Sequence, residues 1–213
     1  MAHLPVDPSR EAVPIRLFKS DFLEFFTHIS PAAVTGLWLP VIVLLLVYAV
    51  LTAPAGRFPV YIPPGFLIGV FIWTFTEYIM HRFVFHHRPT SKRQERIIFL
   101  FHGINHAQPQ VKTRLVMPFA VTIPLALFFF GLYSLVLGLL LKAPQWVAPI
   151  MAGMIAGYLA YDLIHYATHH WPMRSGAAKF LKRYHMQHHY KAPDTRFGVS
   201  SPLWDHVFGT TGE

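Results

Sequence analysis

Four stretches of this chain carry no charged side chain for 19 residues or longer: 32–53, 58–76, 115–141 and 143–161. A helix needs about 20 apolar residues to cross the hydrocarbon core of a bilayer. In that solvent only a helix or a closed barrel satisfies its own backbone hydrogen bonds. Each stretch therefore predicts a membrane-spanning helix, and the polar segments between them must gather at the ends of the bundle. Pro118 and Pro124 near the start of the third stretch predict a helix that begins late or is kinked.

The formal charge of +8 raises the question of nucleic acid, and its distribution answers it. Sixteen of the eighteen Lys and Arg residues fall on one side of a four-span topology: before the first span, between the second and third, and after the fourth. That is the positive-inside pattern, which places both termini and the middle loop in the cytosol. Anionic membrane lipids account for the basic surface, so no nucleic-acid partner is expected. The chain has no cysteine, which excludes disulfide frameworks and thiolate chemistry. Its N-terminus lacks the apolar core and cleavage site of a secretory signal, so none is expected.

Residues 1–14 are polar and proline-marked, and read as poorly ordered. From 17 to 29 the pattern is amphipathic, with Phe18, Phe22, Phe25, Phe26 and Ile29 opposite Ser20, Asp21, Glu24, Thr27 and His28. This predicts a helix lying in the membrane interface or packed on the cytosolic part of the protein. Pro54, Gly56, Pro59 and Pro63 mark a short outer loop. Residues 171–213 are expected to form a cytosolic cap. The division is then an N-terminal segment, 1–30, and a single membrane domain with its cap, 31–213.

Fourteen histidines carry the chemical information. His81 and His86 close the second span, and His102, Asn105 and His106 lie in the middle loop. His165 and His169 close the fourth span; His185, His188 and His189 follow in the cap. Residues three and four apart share a helical face, so His165 is expected to point with His169, and His185 with His188 and His189. Neutral imidazole is the common ligand for iron, zinc, copper and nickel. Nine such histidines exceed what one ion accepts, so two metal ions are expected. Glu77 lies four residues before His81 and Asp162 three before His165, where each could accept the second ring N–H of a ligating histidine. His3 and His28 lie outside any cluster, His87 and His170 are expected to point elsewhere on their helices, and His206 is left between a supporting role and the surface.

Several segments together resemble the fatty acid hydroxylase superfamily, and most closely its fatty acid 2-hydroxylase branch. They are Glu77 to His86, Tyr161-Asp162-Leu163-Ile164-His165-Tyr166, Tyr184-His185-Met186-Gln187-His188-His189-Tyr190, and the tail from Phe197 to Trp204 and Asp205. The resemblance runs from about residue 66 to 210. It implies an all-α membrane protein of four transmembrane helices, with a cytosolic helical cap over a non-haem dimetal centre. It also implies hydroxylation at carbon 2 of a fatty acyl chain, free or in a sphingolipid such as ceramide. Eukaryotic members often carry a fused cytochrome of the b type. The 30 residues before the first span leave no room for one, so a separate electron-transfer protein of the cytochrome or ferredoxin type is expected. The middle motif of the family has two adjacent histidines where this chain has Asn105 and His106, so Asn105 is expected to reach a metal through a water.

On that reading His81, His86, His102, His106, His165, His169, His185, His188 and His189 are metal ligands, and Glu77, Asp162 and Asp205 support them from outside. An unactivated C–H bond needs dioxygen, two electrons and a redox metal. Two iron ions are expected, although zinc, which has no redox chemistry, can replace them on purification. The lipid acyl chain is expected in a tunnel to which Trp73, Phe75 and Trp204 contribute. A sterol or carotenoid oxidase would use the same centre. A metal transporter would hold its ligands near the membrane midplane, and an intramembrane zinc hydrolase would need a His-Glu-x-x-His helix; neither matches. The setting is a bacterial cytoplasmic membrane or the endoplasmic reticulum.

Overall fold

The computed structural model describes residues 13–53 and 59–212, so His3, Pro54 and Gly56 lie outside it. The described residues are helical or irregular, in the order α1 (Asp21–Phe25), α2 (Pro31–Leu51), α3 (Ile62–Ile79), α4 (Lys92–Ile98), α5 (Ile104–Ala107), α6 (Phe119–Tyr133), α7 (Val147–His170), α8 (Gly176–Tyr190) and α9 (Leu203–Val207). Four helices are long and apolar enough to cross a membrane: Pro31–Leu51, Ile62–Phe85, Phe119–Leu140 and Pro144–His170. The four expected spans are present, with shifted ends. Pro63 falls within the first turn of α3, where a missing N–H costs nothing, and not in the outer loop. Pro118 is extended and caps α6, so the third span does begin late.

Helix α7 is the axis of the bundle. It is buried along most of its length, whereas α6 buries only Thr122 and Tyr133 and leaves the rest of its apolar surface outward. Helix α3 crosses α7 at backbone contact, through glycines spaced four apart on both helices. A Cβ on Gly69 would stand 2.0 Å from the Ile150 carbonyl oxygen, and one on Gly153 would stand 1.9 Å from that of Phe66. Small residues allow such approach where no hydrophobic effect drives helices together. Gly153→Ala is therefore expected to force the pair apart and destabilise the protein by about 1–3 kcal/mol or more. A purified variant that melts with the parent would show that the helices can separate freely.

Spans two and four run in the same direction and end at the same end of the bundle, so α3 and α7 deliver their histidines side by side. Past Ile79 the second span continues as a π-helical turn, Met80–Phe85, closed by the His86 N–H donating to the His81 carbonyl at 3.1 Å. Five residues on an α-helix point far apart; the wider π turn brings His81 and His86 onto one side. A second π turn, Phe99–Gly103, carries His102.

The N-terminal segment is less helical than its pattern implies. Only Asp21–Phe25 forms a helix, because the polar side chains meant for its outer face turn inward instead. Glu24 accepts the Leu17 and Phe18 N–H groups at 2.9 and 2.8 Å and pairs with the buried Arg114 at 2.5 Å. The His28 ring meets the Thr113 hydroxyl at 2.7 Å. Phe22 and Phe25 are left exposed. The segment thus packs on the middle loop by its polar side and presents phenylalanines outward.

Candidate metal centre

The nine histidines expected as ligands converge into two groups. His81, His86, His102, His106 and His188 offer ring nitrogens that all lie within 4.8 Å of one another, and so do His165, His169, His185 and His189. One expectation is corrected here. His188 does not point with His185 and His189, because on α8 it lies about 100° from His189. Helix α8 therefore stands between the groups and serves both. They meet where the His106 and His189 rings stack at 4.1 Å.

The hydrogen bonds on the far ring nitrogens decide what the near ones can do. His81 Nδ1 lies 2.5 Å from the Phe197 carbonyl and His188 Nδ1 lies 2.6 Å from that of Thr195. A carbonyl only accepts, so both Nδ1 atoms carry the proton and both Nε2 atoms present lone pairs. Those lone pairs face further imidazole nitrogens: His81 to His102 at 3.1 Å, His188 to His86 at 3.1 Å. His102 also faces His106 at 3.0 Å, and in the second group His169 faces His185 at 3.1 Å. Nitrogens bound about 2.1 Å from one ion would sit at about this separation. In the second group both ring nitrogens of His189 are buried without a hydrogen-bond partner. So many buried acceptors aimed at two points fit a pair of metal ions.

Burial keeps these imidazoles neutral. It holds His86 down to about 4 and His188 down to about 3, the latter with help from neighbouring His86. Burial and adjoining imidazoles keep His102, His106, His185 and His189 well below the usual histidine range. A folded-state value below the unfolded value of about 6.5 means that acid favours the unfolded chain. Stability of the metal-free protein is therefore expected to be full above about pH 6.5 and to fall as pH drops toward about 4. Denaturation measured after chelation at a series of pH values checks this; a flat profile across that window would contradict the assignment of neutral rings.

The carboxylates work differently from expectation. Glu77 and Asp162 do not reach the histidines. Glu77 accepts the N–H groups of Val199 and Ser200 at 2.6 and 2.8 Å and the Ser200 hydroxyl. Asp205 accepts those of Phe197 and Gly198 at 2.9 and 2.8 Å and the Thr210 hydroxyl at 2.7 Å. Four consecutive backbone donors are thus held by two acids, and that fixes the Phe197 carbonyl that orients His81. A histidine spaced from a carboxylate by one helical turn misled because a backbone carbonyl serves the ring equally well. Asp162 accepts from the Tyr158 hydroxyl at 2.7 Å and the Met117 N–H at about 3.2 Å, and so ties α7 to the irregular segment that leads into span three.

A cavity of about 290 Å³ opens beside the first group, lined by His102 and Asn105 at one part and by Phe26, Leu100, Phe101 and Val121 elsewhere. Its wall is mostly apolar. Trp73, Phe75 and Trp204 do not line it. Trp73 is buried against Tyr158 and Tyr161, and Phe75 packs on Trp204 and Phe208. The N-terminal segment supplies Leu17, Phe18 and Leu23 instead, which an isolated amphipathic pattern gave no means to place. Of the remaining histidines, His87 and His206 are exposed and His28 and His170 are partly covered, outside both groups.

Known proteins resemble this chain in sequence and in fold. A family model described as fatty acid hydroxylase matches residues 66–210. A dihydroceramide fatty acyl 2-hydroxylase of Arabidopsis thaliana is 38% identical over 195 residues, which are 92% of this chain and 79% of the plant protein. A fatty acid 2-hydroxylase of Rattus norvegicus is 34% identical, over 98% of this chain and 58% of the rat protein. A solved structure described as full-length scs7p, with only its hydroxylase domain visible, has a TM-score of 0.80 at 37% identity, over 89% of this chain and 69% of that one.

Proposed function

Because this chain belongs to the fatty acid hydroxylase family, we propose that it hydroxylates a fatty acyl chain at carbon 2, using dioxygen and two electrons. The observation that supports this most directly is the adjacency of a largely apolar cavity to the first of two neighbouring histidine groups. The nine histidines would hold two metal ions. Two iron ions would supply the redox chemistry that activates dioxygen. The balance is one C–H bond and one dioxygen, with two electrons and two protons, giving one hydroxyl group and one water. The two electrons would come from an electron-transfer protein of the cytochrome or ferredoxin type.

The chain's own residues do the rest. Phe197 and Thr195 carbonyls hold His81 and His188 in the tautomer that leaves Nε2 free. Phe85 stacks on the His102 ring at 5.1 Å and, with the apolar cavity wall, keeps bulk water from the centre. Membranes or purified protein given an acyl substrate under labelled dioxygen should yield a 2-hydroxy product carrying one labelled oxygen. Product whose oxygen comes from water would refute a monooxygenase.

The charge asymmetry of the loops supports a cytosolic site, where soluble electron donors can reach it. A cysteine introduced at Lys92, in α4, is then expected to resist an impermeant thiol reagent in intact cells and to react once they are opened. Labelling in intact cells would invert the topology.

A further inference from the structure

Asn105 is buried to within 7% of full cover, lines the cavity beside His102, and makes no side-chain hydrogen bond to any described residue. Of the other polar groups in that wall, the Asp162 carboxylate and the His102 ring have partners, whereas Nε and Nη1 of Arg114 are buried without one and its other nitrogen is engaged. Asp162 accepts from Tyr158 and Met117. Arg114 donates to Glu24 and to the Ile15 carbonyl. His102 Nε2 faces His81 and His106. A side-chain amide has two donors and a carbonyl acceptor, and that of Asn105 lines the open cavity with none of them taken up by the protein. A group that enters the cavity is the natural partner.

We infer that the Asn105 amide receives the substrate's acyl carbonyl, with its N–H donating to the carbonyl oxygen. This rests on the hydroxylase reading above. Asn105 sits three residues after His102 and directly before His106, on the turn that carries two members of the five-histidine group. A carbonyl held there keeps carbon 2, one bond away, within reach of the histidine centre and draws carbons further along the chain back into the cavity. Asn105 is then a positioning residue for regiochemistry. The same carbonyl occurs in a free fatty acid and in an N-acyl sphingoid base, and the two sources are separated by experiment.

The test uses the full chain purified without chelator, its Asn105→Leu variant of similar size, and Asn105→Asp, which keeps the shape and loses the donors. Each is given a free fatty acid and, separately, an N-acyl sphingoid base under labelled dioxygen, with hydroxyl position read by mass spectrometry and metal content measured in parallel. Both variants are expected to keep the parent's metal content, to raise KM roughly ten-fold or more, and to spread the hydroxyl from carbon 2 to carbon 3 and beyond. The substrate whose position is scrambled more is the one whose carbonyl Asn105 holds. Unchanged KM with product confined to carbon 2 would overturn the inference. So would a fall in bound metal, which would place the amide at the metal through a water. A parent protein that hydroxylates neither substrate would remove the hydroxylase reading and this inference with it, an outcome distinct from a parent that works and variants that match it.

Discussion

His189→Ala is expected to lower bound metal from about two ions per chain toward one and to cut turnover by more than ~100-fold. Changes one step outside a metal's ligands already cost 10–100-fold, and this one removes a ligand. The two histidine groups are unequal. The first has five members and the second four, so a loss from the second leaves three imidazoles on its ion. His189 is also the ring that stacks on His106, where the groups touch, so its removal opens the space between them. The companion variant His86→Ala leaves four members in the first group and is expected to keep metal near the parent level. Metal analysis of both proteins, purified in parallel, makes the comparison. Equal losses would mean that the groups do not act as separate sites.

That inequality was half legible in the sequence. Helical spacing places His165 with His169 and His185 with His189, and four charge-free stretches order the spans. The partition of His188 away from its neighbours was open to the same arithmetic, since residues one apart on a helix diverge by about 100°. The pairing of His81 with His86 was not, because five-residue spacing converges only in a π turn and nothing in the residues announces one. The glycines at 65, 69, 153 and 157 stand four apart on two spans and could have been read as a close helix crossing. The cavity wall was out of reach for another reason. It is built by the N-terminal segment folding back on Arg114, a contact about 90 residues apart in sequence that hydrophobic periodicity does not encode.

The carboxylates show how a correct residue can be given the wrong task. Glu77 stands one turn before His81 in the sequence, yet it acts on His81 only through the 197–200 loop. Its removal should therefore damage the loop first and the metal second. Glu77→Ala leaves the Val199 and Ser200 N–H groups buried or nearly so without a partner. At about 1–3 kcal/mol for each orphaned donor, stability is expected to fall by about 2–6 kcal/mol, or Tm by roughly 5–20 °C. The loop that carries the Phe197 carbonyl is then held by Asp205 alone, the orientation of His81 loosens, and metal affinity drops by about 10–100-fold. Glu77→Gln separates shape from charge. Oε1 of Glu77 accepts both backbone donors, and a glutamine carbonyl can do the same, while its amide can donate to a reoriented Ser200 hydroxyl. The glutamine variant is expected to recover most of the stability and metal affinity that alanine loses. If glutamine proves as damaging as alanine, the negative charge itself is required near the ions, and if neither variant lowers Tm, the loop is held by something other than Glu77.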